Sequence, residues 1–238
     1  MSVWRHFRGT IAIIIIIQLL FMAGCQKDES DHMKSAVKGS VPTTTDAEPD
    51  NPVSFGYKCS WLAIRSEDAD AVVGAIGLKD VRKCGWKEGI DSAYRDRVFV
   101  APAINGWVLV VGFSLPEVVA AGKLDQLSEL LQELGRKFSD VQYFGTHRVV
   151  GYQAWARAVN GKITRCYAFL GESGETLRNE GRPTDEETKL GLVFDESNFP
   201  DESDVMNLAG AWSINPTTLE EMQVEKRVGH LGSLPRRK

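Results

Sequence analysis

The sequence of 238 residues contains no phosphate-binding loop, no HExxH, no GxSxG and no CxxC. Their absence removes the signatures of phosphate-loop hydrolases, helix-borne zinc proteases, nucleophile-elbow hydrolases and paired-thiol sites. The stretch NGKIT at 160–164 has a Gly-Lys pair but neither the upstream glycine nor the strand-to-helix setting of a phosphate loop. Histidine is scarce as well. Of the four, His6, His32 and His230 lie toward the two ends, and His147 alone stands in the middle of the chain. Asp195, Glu196, Asp201, Glu202 and Asp204 crowd together, but the twelve-residue calcium loop is missing, and acids at a helix start already have a dipole reason to be there. No metal and no cofactor are expected.

Positive charge is also lacking. The formal net charge is -4, and setting aside the first 24 residues, which hold Arg5 and Arg8 and no acid, leaves 26 basic against 32 acidic residues, a net of -6. That balance argues against a nucleic-acid partner and leaves basic ligands open.

One long apolar run is present, residues 9–24, with five consecutive isoleucines, Gln18 interrupting it and Arg5 and Arg8 before it. A membrane-spanning helix needs about 20 apolar residues, so this run is somewhat short, and it ends in small residues suited to a signal peptidase. The order Met22, Ala23, Gly24, Cys25 resembles the lipobox of bacterial lipoproteins, with Met22 in place of the usual leucine. The resemblance implies that residues 1–24 are a signal peptide and that Cys25 becomes a lipid-modified N-terminus. It further implies a membrane partner through the lipid and a place in the cell envelope. In a Gram-negative host, Gln26 after the cysteine would direct the protein to the periplasmic face of the outer membrane. The alternative is an uncleaved anchor helix with an incidental cysteine.

Residues 25–54 are rich in Ser, Thr, Pro, Lys, Asp and Glu without periodicity and are expected to be a disordered tether. A flexible coil of about 28 residues reaches about 30 Å. Residues 227–238, ending in Arg236, Arg237 and Lys238, are expected to be a disordered basic tail.

A globular body is expected over residues 55–226, long enough for one domain with a substantial core. KCSWLAI at 58–64 suits a buried strand, and Ser66 with Glu67 and Asp68 suggests a helix start, closed by Gly77. Trp86, Ile90, Ala93 and Tyr94 fall on one helical face, as do Leu124, Leu127, Leu130, Leu131, Leu134 and Phe138. Asn105-Gly106 and Asn160-Gly161 are hairpin signals, because both residue types tolerate the positive φ of a type I′ turn. A two-residue loop at 160–161 would set Arg157 opposite Thr164, Trp155 opposite Cys166 and Gln153 opposite Ala168 on a more polar, partly open face. Thr184 to Glu187 and Thr217 to Glu220 fit capping boxes, and Asp201 or Ser203 caps a helix that turns Val205, Leu208, Ala209 and Trp212 inward.

Hairpins interspersed with short helices point to an α+β fold, a single domain with a mostly antiparallel sheet. The stretches VFVAPAINGWVLVVG, QYFGTHRVVGYQAWARA and DVMNLAGAWSINPTTL resemble a family of uncharacterised bacterial proteins. That resemblance implies no activity and no functional residue.

Besides Cys25 the chain has Cys59, Cys84 and Cys166, so at most one internal bridge forms. Cys59 and Cys84 both occur in the fragment KCxW, and a bridge between them stands beside the alternative of three reduced, buried thiols. Two functional classes follow. The first is a non-catalytic, lipid-anchored envelope protein of the immunity or accessory type that binds a protein partner through Trp155, Arg157 and Gln153, since aromatics and arginine are enriched at hot spots. The second is an envelope hydrolase using His147 with Glu172 or Glu175.

Overall fold

The computed structural model describes residues 47–123, 125–192 and 198–235. The leader 1–24, Cys25, the tether up to residue 46, Leu124, Asp195, Glu196 and the last three basic residues lie outside the described residues.

Among the described residues nine strands form one sheet: β1 (Ser60–Arg65), β2 (Lys79–Cys84), β3 (Val98–Val100), β4 (Trp107–Val111), β5 (Asp140–His147), β6 (Tyr152–Val159), β7 (Lys162–Leu170), β8 (Glu175–Glu180) and β9 (Gly229–Ser233). Their order is β2-β9-β3-β4-β1-β5-β6-β7-β8, and every pairing is antiparallel. The α+β expectation therefore holds.

Both faces are covered, which is why the central strands are apolar at nearly every position. In β4, Trp107, Leu109 and Val111 enter one core while Val108 and Val110 enter the other. Helices α1 (Ala69–Ile76) and α3 (Gln126–Gly135) cover the second core. The first core is covered by α2 (Trp86–Ala93), α5 (Glu202–Trp212) and a 3-10 helix over Pro216–Glu221, with α4 (Asp185–Lys189) packed on α5.

Local chemistry explains most of these elements. Asn105 and Gly106 have φ of 50° and 82°, and Asn160 and Gly161 have φ of 49° and 78°, as type I′ turns require. Leu127, Leu130, Leu131 and Leu134 are buried along α3, which packs on the alanine face of β6. The approach is tight, since a Cβ on Gly135 would stand 2.9 Å from the backbone of Gly161. Thr184 and Glu187 make the expected capping box on α4. On α5 the cap is Asp201, boxed with Asp204.

Several expectations are corrected. Helix α1 is capped by Asp68, which accepts from the Ala71 amide at 3.0 Å, while Ser66 Oγ accepts from the Asp68 amide at 3.0 Å. The 3-10 helix is opened by Asn215 with Pro216 behind it, and Thr217 donates to Asn215 rather than capping. Residues 50–54 belong to the body, not to a tether. Gly85 has no side chain with which to cap α2, and Asp50 does it instead, its two carboxylate oxygens accepting from Trp86 N at 2.5 Å and Lys87 N at 3.0 Å.

The tail boundary moves too. Residues 229–233, expected in a disordered tail, form β9, paired on both sides. Cys59 and Cys84 are not bridged; with Cys166 they are free and buried. Four inter-strand steps separate β1 from β2, about 19 Å at ordinary sheet spacing, against the 7 Å that a disulfide tolerates between Cα atoms.

Candidate functional site

The face expected to bind a partner is buried. A bulge between Arg157 and Ala158 shifts the β6–β7 register, so Trp155 lies opposite Tyr167, Gln153 opposite Phe169 and Arg157 opposite Arg165. Thr164 is the extra residue, its hydroxyl turned back to the Arg157 carbonyl at 3.2 Å. Trp155 is fully buried and stacks on Tyr167 with centroids 4.5 Å apart, and Gln153 is buried as well. Arg157 pairs with Asp140 at 2.6 Å and lies over the Trp212 ring.

Beneath that face sits a buried ion pair. Glu187, 0% exposed, accepts through Oε1 from Trp155 Nε1 at 2.9 Å and from Arg165 Nε at 2.8 Å. Its Oε2 accepts from the Thr184 amide at 2.8 Å. Arg165 completes its set on Asn179 Oδ1 and the Glu180 carbonyl, at 2.8 and 3.0 Å. A buried pair with each partner hydrogen-bonded has its charges satisfied within the fold.

Among the described residues no hydrogen bond joins His147 to Glu172 or Glu175. In the strand rows His147 lies opposite Tyr152, Tyr152 opposite Leu170 and Leu170 opposite Glu175. Three strand spacings, roughly 14 Å, separate the two backbones. Glu172 lies in the turn after β7, where its amide donates to the Val150 carbonyl, and its carboxylate makes no hydrogen bond among the described residues.

What does converge at the His147 end of the sheet is an exposed aromatic rim. Seven large hydrophobic residues are exposed among the described residues, and four of them, Tyr57 (45%), Tyr94 (38%), Phe113 (47%) and Val149 (81%), lie here. Their links are direct. Tyr94 Oη donates to the Tyr57 carbonyl at 2.8 Å, and the Phe113 amide donates to the Ala93 carbonyl at 2.9 Å. The Phe113 ring meets His147 edge-on at 5.1 Å. Arg148 lies 5.5 Å over the Tyr57 ring while its Nη2 and Nε donate to Glu202 Oε2 at 2.7 and 2.9 Å. Apart from Tyr94, on the helical face expected for α2, none of Tyr57, Phe113, Arg148 and Val149 was marked by periodicity, because turns at strand ends carry none.

A polar seam holds the rim from behind. Ser60 Oγ lies 3.1 Å from Tyr143 Oη, which lies 3.4 Å from Tyr152 Oη, and the Val118 amide donates to Tyr152 Oη at 2.9 Å. This chain of hydroxyls pins the loop that carries Phe113. Gly145 is required beside it, since a Cβ there would stand 2.6 Å from the Tyr143 hydroxyl. In the same loop is Glu117. The residue is exposed overall, yet partial withdrawal of its carboxyl from water raises its pKa, with the neighbouring His147 pulling it back down.

Asp50, where the described chain begins its contacts with α2, lies at the opposite end of the sheet with the two Asn-Gly hairpins. Among the described residues no group of His, Cys, Asp and Glu is arranged to hold a metal, and no helix is long and apolar enough to cross a membrane. Comparison of the chain with protein-family models, curated proteins and solved structures finds no match, so the reading of its function rests on the chemistry of the rim.

Proposed function

We propose that the protein is a lipid-anchored binding protein of the cell envelope, attached through Cys25, that captures a protein partner through the aromatic rim. It would act as an immunity-type or accessory module. The observation that carries this reading is the gathering of Tyr57, Tyr94, Phe113 and Val149 on one end of the sheet, with Arg148 stacked among them. Exposed aromatics beside an arginine are the residues that dominate protein interfaces, and scattered exposure needs no such clustering. Asp50, near the start of the described chain, lies at the end of the sheet opposite the rim. A leader that ends in Ala23-Gly24 immediately before Cys25 supports the lipid anchor.

The test places a photo-crosslinking amino acid in living cells at Phe113, at Val149 and, as a control, at Asn160 on the other end. A discrete, protease-sensitive adduct of one mass from both rim positions and not from Asn160 is expected. Equal adducts from all three positions, or none, would overturn the rim. Fatty-acid labelling that survives Cys25→Ser would overturn the anchor.

A further inference from the structure

Beside the rim, on the α1 and α3 face, is a cleft of about 290 Å³ that the binding reading does not use. Its walls are mainly aliphatic, from Ile76 at the end of α1, Leu130 on α3, Pro116 in the rim loop and Leu234 just after β9, with Ser114, Gln126 and Ser233 between them. One charged residue lines it, Asp96, which has no hydrogen bond or ion pair to another described residue. The nearby Arg97 makes no direct ion pair with it; its Nη1 donates to Ser233 Oγ at 2.6 Å.

We infer that this cleft binds a short aliphatic chain bearing a cationic amine, with the chain between Ile76 and Leu130 and the ammonium on Asp96. Charge selects the ligand: an aliphatic slot whose single charged group is an unpaired carboxylate favours an amine over an alcohol and rejects a carboxylate of the same length. The overall acidity of the chain acts in the same direction. The competing occupant is the protein itself, since Pro235 lines the cleft and the basic residues Arg236, Arg237 and Lys238 follow it.

The probes are hexylammonium, 1-hexanol and hexanoate, titrated into the full chain in lipid nanodiscs and followed through the methyl signals of Ile76, Leu130 and Leu234. Hexylammonium is expected to bind about fivefold more tightly than hexanol, with hexanoate weakest, the ratio a partly exposed ion pair supports. Asp96→Asn, at an exposed position, should erase the preference for the amine and keep the binding of hexanol. Ser114→Trp, which fills the cleft from another exposed position, should remove both while the melting temperature holds. Equal affinity for the three probes, or shifts that persist in Ser114→Trp, would overturn the assignment. So would a chain ending at Pro235 that binds hexylammonium tenfold or more tightly than the full chain, because the occupant would then be the protein's own terminus.

Discussion

The indole of Trp155 and the guanidinium of Arg165 donate to the same oxygen, Glu187 Oε1, at 2.9 and 2.8 Å. Glu187→Ala strands the Arg165 charge in the core and is expected to cost about 3–5 kcal/mol. Trp155→Ala should cost about 3–5 kcal/mol through lost packing. Urea denaturation measures both, and a loss below about 1 kcal/mol in either would refute a structural role for this group.

Rim substitutions should behave in the opposite way. Tyr57→Ser and Phe113→Ser change side chains that are about half exposed, so stability should move by no more than about 0.5 kcal/mol. Once a partner is identified by crosslinking, each should weaken its capture by roughly thirtyfold, the loss expected for truncating a hot spot. A rim variant that unfolds at a much lower temperature would mean that these rings pack rather than bind.

Burial pushes the thiols of Cys59, Cys84 and Cys166 up to about 12. At pH 8 the native body should therefore resist iodoacetamide while the urea-unfolded chain takes three labels there, since the thiolate is the reactive species. Rapid labelling of the native body, or a mass gain of two hydrogens on reduction, would contradict the arrangement of β1 and β2.

His230 in β9 is 5% exposed and has Asp70 Oδ1 2.7 Å from its Nε2. Burial, with help from Lys83, lowers its pKa below 6.5, and Asp70 opposes the shift. The unfolded chain thus takes up a proton below about pH 6.5 that the folded chain resists, so this contribution is full above that pH and is lost as pH falls toward the folded value. Raised carboxyls such as Glu117 act in the opposite sense at lower pH. Urea midpoints measured from pH 8 to 5.5 should fall, and His230→Gln should flatten that slope. An unchanged slope in the variant would remove His230 as its cause.

A chain ending at residue 228 should lose cooperative unfolding, because β9 bridges β2 and β3. One ending at Pro235 should melt as the full chain does, within a few degrees by calorimetry. A folded 228-residue chain would refute the place of β9 in the sheet.

The parts that could be read from sequence are those written in local chemistry. Asn105-Gly106 and Asn160-Gly161 made their turns, and Thr184 with Glu187 made its capping box, because each depends on residues a few positions apart. The β6–β7 register could not be read, since it turns on one extra residue, Thr164, whose bulge brings Arg165 round to Glu187. Strand β9, GHLGS, has little strand propensity of its own and is held by its neighbours. Its glycines are needed for space: a Cβ on Gly229 would stand 2.5 Å from the Phe99 ring, and one on Gly232 2.6 Å from Leu78. The rim shares this obscurity, because its members meet only once the strand ends are brought together.

The position of β9 also sets an order in time. The last strand to be synthesised is second from the edge, between two strands made more than a hundred residues earlier. Until it leaves the ribosome, β2 and β3 have no partner on their shared side, and that half of the sheet cannot close. The apolar run at 9–24 emerges long before. Under the export proposed for this chain, the order of synthesis would keep the body open to translocation while that run engages the export machinery, and the fold would be committed only once β9 arrives.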